Sequence, residues 1–329
     1  MENDFPRLLS DIGGTNARFV LETSCGHFGE QITYVNRSFS CFSDVLSQFL
    51  SQHAGRERIR HAIIAVAANT DSVAGSVIRM TNLDWTLSVE SIQKEFGFET
   101  VLFVNDFTAL AMSIPFMAPA AVKQCGGQQA VRGKPIGLLG AGTGLGVSGL
   151  IPCADTWVPL VAEGGHVSFP PFDEKEMLLL RLAREHYPHV SVERFLSGSG
   201  MALIYRLLME SRGERPESLS ATEITHRALV DQCVWCDEVV ETFCRMLGTV
   251  AGNLALTLGA GGGIYIGGGI VPHLGERFFH SGFRQRFEEK GRFSEYMALV
   301  PVFVILDTYA ALHGASVMLS AHLRASAPH

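Results

Sequence analysis

The stretch LLSDIGGTNARFVLE, from Leu8 to Glu22, is the part of the sequence that decides the fold prediction. An apolar run leads into a Gly-Gly-Thr turn, and a second apolar run follows, which is the pattern of two strands joined by a tight turn. A similar unit, LLGAGTGLGVSGLI, begins at Leu138. Both units are followed by alternating strand-like and helix-like segments. The sequence therefore predicts two α/β halves of related topology, with ligands bound in a cleft between them.

Apolar runs and helical spacing define the remaining elements. HAIIAVAA and VLFV are continuous apolar segments, typical of strands buried on both faces of a parallel sheet. Residues 43–52 carry the apolar stripe of a helix, and longer helical patterns cover residues 173–186, 200–212 and 222–259. A length of 329 residues suggests about two domains.

Composition narrows the class of protein. Hydrophobic residues make up 47% of the chain, which supplies a buried core and argues against disorder. The net charge of −7 weighs against nucleic acid as a partner. Seven scattered cysteines fit a reducing compartment. The N-terminal residues lack a signal-like apolar run, and no apolar stretch is long enough to span a membrane, so we expect a soluble cytoplasmic protein.

One cysteine pair has a motif-like spacing. Cys233-Val-Trp-Cys236 matches the C-x-x-C spacing of zinc and redox sites. The pair falls within a long helical pattern instead of a strand-to-helix turn, and no second Cys/His pair follows at zinc spacing. The sequence therefore favours two small residues on a helix.

Three glycine-rich turns each follow an apolar strand: DIGGTNAR (11–18), GAGTGLG (140–146) and IGGGIVP (266–272). Glycine lets backbone N–H groups converge on an anion, and threonine adds a hydroxyl donor, so such turns suit phosphates. The second turn has Leu145 where a dinucleotide fingerprint needs its third glycine, and Pro135 after Lys134 rules out a Walker loop. For any single turn, a hairpin without a ligand is the alternative.

A polar pair, Asn105 and Asp106, follows the buried run VLFV. Ligands of parallel sheets bind beyond the carboxyl ends of the strands, so a carboxylate at this position can face a ligand. The alternative is that Asp106 caps the following helix by accepting hydrogen bonds from backbone N–H groups.

The motifs DIGGTNAR, TNLDW, VNDFTALAMSIP, GAGTGLG, EGGH, VSVERFLSG and GGGIVP, in this order, resemble the bacterial glucokinase family of the hexokinase and actin-like ATPase superfamily. The resemblance implies an α/β, two-domain actin-like ATPase (ribonuclease H-like) fold with a cleft between the domains. The small domain would comprise residues 1–116 plus 307–329, and the large domain residues 117–306. The chain departs from the family at Ala67-Ala68-Asn69, where a Cys-Pro or Gly-Pro pair is common. No cysteine-rich zinc motif follows His166, which disfavours the related repressor and sugar kinase branch.

The resemblance also implies the chemistry: Asp106 would act as general base while ATP phosphorylates the 6-hydroxyl of glucose. The implied sugar ligands are Asn105, Asp106, Glu163, His166 and Glu193. The alternatives are a structural histidine for His166 and a surface ion pair with Arg194 for Glu193.

Nucleotide and metal contacts follow from the same resemblance. Asp11 would hold Mg²⁺ through water, and its alternative is an Asx turn. We expect Gly268 and Gly269 to pack on the nucleotide where a Cβ would collide, and Thr143 to donate to phosphate together with the amides of Gly142 and Gly144. The implied nucleotide contacts are Asp11, Gly13, Gly14, Thr15, Asn16, Gly142, Thr143, Gly144, Gly268 and Gly269.

Other functions stay open at this stage. They are a kinase for another hexose or amino sugar, a non-catalytic sugar-sensing regulator, and an actin-like filament protein. The first strand begins near Leu8, which we expect to leave no room for an upstream DNA-binding segment. The family resemblance further implies a homodimer with glucose and ATP as ligands, no nucleic acid or membrane partner, and closure about hinges near Pro115 and Asp307.

Overall fold

The computed structural model describes residues 4–53, 58–67, 77–80 and 83–326. The chain divides into two units, Met1–Met117 with Asp307–His329, and Ala118–Leu306. The departure at Ala67-Ala68-Asn69 lies mostly outside the described residues, since only Ala67 is described.

In its described residues, the first unit begins with eight strands and three α-helices. Their bounds are β1 Arg7–Ile12, β2 Asn16–Ser24, β3 His27–Phe28, β4 Ile32–Val35, α1 Phe42–His53, β5 His61–Val66, β6 Val77–Arg79, β7 Thr86–Ser88, α2 Val89–Phe96, β8 Thr100–Asn105 and α3 Asp106–Ser113.

The second unit contains the next set of elements, and the chain then returns to the first unit with a long final helix. The bounds are β9 Val122–Gln124, β10 Ile136–Ala141, β11 Leu145–Cys153, β12 Thr156–Leu160, α4 Glu174–Ala183, α5 Gly198–Ser211, α6 Ala221–Leu229, α7 Val234–Leu258, β13 Ile264–Gly267, α8 Ile270–Leu274, α9 Glu276–Phe279, α10 Phe283–Glu288, α11 Ser294–Leu299, β14 Val302–Ile305 and α12 Ala310–Ser326.

Each unit is built on a mixed sheet, so the α/β prediction is confirmed. The sheet of the first unit has the order β3-β2-β1-β5-β8, with β4 also paired to β2, and that of the second has the order β12-β11-β10-β13-β14-β9. In the first unit, β1 is antiparallel to β2 and parallel to β5. In the second unit, β10 is antiparallel to β11 and parallel to β13. The two units therefore share a hairpin flanked by a parallel strand, which agrees with the predicted related topology of the two halves.

Core packing explains the continuous apolar runs. Every residue of β1, β5 and β10 is buried. On one face of the first sheet, Leu8 packs in the same cluster as Phe19 and Phe49, and on the other face Leu9 packs in a cluster with Leu312. Strands covered on both faces have no solvent side, which is why they lack polar alternation.

The helical pattern of residues 222–259 is two helices and not one, which corrects the prediction. A capping box formed by Ser220 and Glu223 starts α6, and Cys233 is the N-cap of α7. Gln232 has a left-handed backbone with φ of 53°, which a continuous α-helix cannot contain. The C-x-x-C pair therefore begins a helix instead of lying within one. Among the described residues, no helix is long and apolar enough to cross a membrane.

The helix α12 crosses α3 at Gly314. A Cβ added to Gly314 would overlap the carbonyl oxygen of Ala109, so only glycine allows the two helices to approach this closely. The crossing matters because Asp106 begins α3. The position of the candidate base thus depends on a helix that comes from the other end of the chain.

We expect Gly314→Ala to lower the free energy of unfolding by about 1–3 kcal/mol, because overpacking outweighs the better helix propensity of alanine. Urea denaturation measures this change. Gly29→Ala is the matched control in the same unit, since its Cβ would meet Leu21 O at an ordinary 3.5 Å. Equal stability of the two variants would show that the close crossing does not exist.

Candidate active site

The first unit brings a glycine turn and the Asn105–Asp106 pair to one edge of its sheet. The parallel strands β1, β5 and β8 are in register, and Ile12, Val66 and Asn105 occupy their aligned carboxyl ends. Neighbouring strands lie about 4.8 Å apart, so the ends of β1 and β8 are about 10 Å apart. The turn after Ile12 and the start of α3 at Asp106 therefore lie at the same edge of the sheet.

Buried Asn36 holds the first glycine turn. The Asn36 side-chain amide donates to Gly13 O at 2.8 Å, and its backbone N–H donates to Thr15 O at 2.9 Å. The Gly13 N–H closes the turn by donating to Asn16 O at 3.0 Å. The donors that the turn can present are therefore those of Gly14 and the exposed Thr15. Sequence reasoning missed Asn36, although a polar residue directly after β4 was the available signal.

Asp11 lies within β1 and not in an Asx turn, which corrects the alternative given for it. It is paired across the hairpin with Arg18, whose Nη1 donates to Asp11 Oδ2 at 2.8 Å. Burial raises the pKa of Asp11, and the charge and hydrogen bond of Arg18 oppose this. The carboxylate is thus held at a fixed place beside the glycine turn.

The N-cap of α3 is Asn105 and not Asp106. Asn105 Oδ1 accepts from Thr108 N–H at 3.0 Å, which is an N-cap hydrogen bond. Asp106 is the first residue of α3, and its Oδ1 accepts from the adjacent Phe107 N–H at 2.9 Å. Asn105 therefore has the N-cap role that the alternative interpretation assigned to Asp106. Both side chains are half-buried.

The second glycine turn joins β10 to β11. The Gly142 N–H donates to Gly144 O at 2.8 Å, so this amide closes the turn, which contradicts the expectation that it donates to phosphate. The donors that the turn can present are the amides of Thr143 and Gly144 and the exposed Thr143 hydroxyl. Gly198 N–H, at the start of α5, donates to Gly142 O at 2.8 Å and anchors the turn.

Glu193 reaches this turn directly. Its Oε2 accepts from Leu145 N–H at 2.8 Å, and a Cβ added to Gly144 would lie only 2.5 Å from the same oxygen. Arg194 instead stacks on Tyr187 at 4.3 Å from the ring centroid, so the surface pair of Glu193 with Arg194 is not what the structure shows.

The Glu163–His166 segment lies against the same strand. A Cβ at Gly165 would overlap Leu145 O, and one at Gly164 would lie 2.8 Å from Val147 Cγ1, so both glycines allow this segment to approach β11. His166 Nε2 lies 3.8 Å from Glu163 Oε2, and both side chains are 55% exposed. This exposure does not fit a purely structural histidine. The side chains are accessible to a ligand.

Backbone hydrogen bonds tie this segment to that of Glu193. Val192 N–H donates to Val167 O at 2.9 Å, and Phe169 N–H donates to Val190 O at 3.0 Å. The structure therefore brings Glu163, His166, Glu193 and the second glycine turn together within the second unit.

The third glycine turn follows β13, the parallel neighbour of β10. Gly268 has φ of 75°, and a Cβ there would overlap Ala141 O, so the protein's own backbone explains this glycine without a nucleotide. A Cβ at Gly269 would meet nothing within 4 Å. Of the two glycines expected to pack on a nucleotide, only Gly269 has open space in which a ligand could lie.

The residues present fit a magnesium ion carried by a nucleotide. In the described part of the chain, no group of three or more His, Cys, Asp or Glu could hold a metal ion by itself. Mg²⁺ commonly uses one or two carboxylates, several waters and the phosphates of its nucleotide. Asp11 is a carboxylate beside the first glycine turn that could contribute to such a site.

Comparisons with known proteins identify the family. The family model described as Glucokinase matches residues 8–322. The "Bifunctional protein glk" of Burkholderia pseudomallei is 48% identical over 97% of this chain, which spans only 49% of that relative. A glucokinase of Neisseria gonorrhoeae is 44% identical over 98% of this chain and 97% of its own length. The chain belongs to the glucokinase family.

Solved structures agree with this assignment. The crystal structure of a glucokinase from an Antarctic psychrotroph has a TM-score of 0.82 and 34% identity, and covers 96% of this chain and 99% of its own. A ROK family glucokinase from Streptomyces griseus, solved with glucose and AMPPNP, has a TM-score of 0.64 at 16% identity over 95% and 99% of the two chains. The second likeness shows the fold alone.

Two substitutions in one turn test the contact between Glu193 and Leu145. We expect Gly144→Ala to displace the Glu193 carboxylate and to expose the Leu145 amide, so that hydrogen exchange at Leu145 accelerates. Gly142→Ala should leave this exchange unchanged, because a Cβ there meets nothing within 4 Å. Exchange measured by NMR distinguishes the two variants. Continued protection of Leu145 in Gly144→Ala would disprove the contact.

Proposed function

We propose that this chain is an ATP-dependent glucokinase, which transfers the γ-phosphoryl group of ATP to the 6-hydroxyl of glucose and produces glucose 6-phosphate and ADP. The observation that carries the proposal is the shared sheet edge of the first unit, where the aligned ends of β1 and β8 lead into a phosphate-type turn and into Asp106. Membership of the glucokinase family supports the same reaction.

The two units contribute the two sides of one site in this proposal, as in an actin-like ATPase fold with a cleft. The turn at residues 13–15 and the turn at residues 142–144 bind the phosphates of ATP, and Gly269 lies against the nucleotide. Asp11 holds Mg²⁺ through water, and the ion neutralises charge on the phosphates when bound. The glucokinase solved with AMPPNP supports ATP as the donor.

Asp106 orients the 6-hydroxyl of glucose and accepts its proton as the oxygen attacks the γ-phosphorus. An ordinary carboxylate is ionised near neutral pH and suits this acceptor role. Asn105 fixes the start of α3 by its cap to Thr108, so the backbone that carries Asp106 is held in place. Positioning of the base is thus built into the strand-to-helix junction.

Glucose hydroxyls are bound by Asn105, Glu163, His166 and Glu193. Carboxylates accept from adjacent hydroxyls, and an amide or imidazole can both donate and accept. A site with several such groups rejects a sugar that lacks one hydroxyl, because a protein group then loses its partner. The proposed enzyme closes over glucose about hinges near Pro115 and Asp307, which excludes water, and it acts as a homodimer.

The test of the base is Asp106→Asn. We expect kcat to fall by about 10²–10⁴-fold, the typical contribution of general-base catalysis, while glucose still binds. A coupled assay of ADP formation gives kcat, and calorimetry gives glucose affinity. Asp44→Asn is the matched control, since Asp44 also lies in the first turn of a helix in the same unit. Turnover near that of the unaltered protein would remove Asp106 from the role.

The test of the sugar site is Glu163→Gln. Loss of a charged hydrogen bond should weaken glucose binding by about 1.5–3 kcal/mol, which corresponds to about 10- to 150-fold in Kd. Glu174→Gln, an exposed position in the same unit, should leave Kd unchanged. If both variants bind glucose equally well, the sugar lies elsewhere.

The same coupled assay, run with a panel of hexoses and amino sugars, separates the remaining functions. A preference for another sugar would identify a different hexose kinase. Glucose binding without ADP formation would identify a sugar-sensing protein.

A further inference from the structure

The cysteine pair at the start of α7 takes no part in the proposed kinase reaction. Cys233 is the N-cap of this 25-residue helix, and Cys236 lies in its first turn. Residues three apart in a helical turn have Cα atoms about 5 Å apart. A disulfide needs a Cα separation of about 4.4–6.8 Å. The spacing of the pair is therefore compatible with an intramolecular disulfide.

The two cysteines differ in access to solvent. Cys233 is partly exposed, whereas Cys236 is fully buried. Cys233 N–H also donates to Arg227 O at 2.9 Å, which fixes the residue at the end of α6. An oxidant in solution can reach the first sulfur and not the second. This is the arrangement of an attacking thiol with a resolving thiol behind it.

We propose that Cys233 and Cys236 form a reversible oxidation site, in which a peroxide converts the dithiol to an intramolecular disulfide. The Cys233 thiolate attacks one oxygen of hydrogen peroxide, the O–O bond breaks, and hydroxide leaves as a sulfenic acid forms. The Cys236 sulfur then attacks the Cys233 sulfur, the S–S bond forms, and the S–O bond breaks with loss of the second oxygen as water. In total, two thiols and one peroxide give one disulfide and two waters.

The electrostatics of the pair agree with this assignment of roles. Interactions with the backbone N–H and the thiol of Cys236 lower the pKa of Cys233. Their geometry is not that of a regular N-cap hydrogen bond. Burial raises the pKa of Cys236 to about 12. The thiolate is the reactive form of cysteine, so Cys233 is the residue that attacks the peroxide in the first step. Its alkylation by iodoacetamide should reach its plateau at a lower pH than that of an ordinary thiol.

The experiment treats the reduced, full-length protein with hydrogen peroxide and maps its cysteines by peptide mass spectrometry. We expect a peptide linked between Cys233 and Cys236 that has lost two hydrogen atoms and regains them with dithiothreitol. The exposed cysteines Cys25 and Cys153 serve as internal controls, because neither has a partner at this spacing. If Cys25 and Cys153 are oxidised while Cys233 and Cys236 both remain free to alkylate, the proposal is wrong.

Variants assign the order of events. Cys236→Ala should stop the reaction at the sulfenic acid, which dimedone traps on Cys233. Cys233→Ser should abolish oxidation of Cys236, because peroxide cannot reach the buried sulfur. Cys25→Ser should behave like the unaltered protein. Should Cys236→Ala fail to fold, Cys233→Ser still decides the matter, since oxidation of Cys236 in that variant would overturn the proposal.

Discussion

The hydrogen bond from Leu145 N–H to Glu193 is the interaction on which the candidate site of the second unit depends. The carbonyl of the same residue faces Gly165, where no side chain would fit. One peptide segment at the end of the glycine turn thus fixes the segments of both Glu163 and Glu193. Hydrogen bonds to charged groups contribute about 1.5–3 kcal/mol, enough to favour one arrangement of the turn over its alternatives. In the proposed function, the carboxylate that contacts sugar is also the one that holds the phosphate-type turn.

The glycines of these turns lie in two different environments. Gly140 and Gly268 are required by the protein itself, because a Cβ at either would overlap the backbone of the neighbouring strand end. Gly142 and Gly269 have open space around the position of a Cβ, so packing within the chain does not require glycine there. In the proposed function, these two glycines leave room for a ligand to approach the backbone closely. The glycine clusters therefore combine positions crowded by neighbouring strand ends, Gly140 and Gly268, with positions of open backbone, Gly142 and Gly269.

The sequence predicts strands better than it predicts junctions. The apolar runs of β1, β5 and β10 were readable because burial on both faces leaves no polar alternation. The break between α6 and α7 was not readable, since both helices bury apolar faces and the stop depends on the left-handed backbone of Gln232.

The residues of the candidate site were likewise easier to predict from the sequence than their contacts. Asn and Asp are equally good N-caps, and the choice of Asn105 follows from where β8 stops pairing with β5, opposite Val66. Asn36 was missed because its contacts join segments that are distant in sequence. The residue types of the site follow from the sequence, whereas their hydrogen-bond partners follow from the register of the sheet.

Each of the two hairpin turns is closed by a backbone hydrogen bond within the turn. In each, the N–H of the first glycine closes the turn, to Asn16 O in the first unit and to Gly144 O in the second. A closed turn has little freedom to reorganise, so its outward amides are oriented before a ligand arrives. Preorganised donors stabilise negative charge more effectively than flexible ones, because no energy is spent on orienting them. A closing backbone hydrogen bond occurs in both turns, each time after a strand with a parallel neighbour, and in the proposed function these two turns bind the phosphates of ATP.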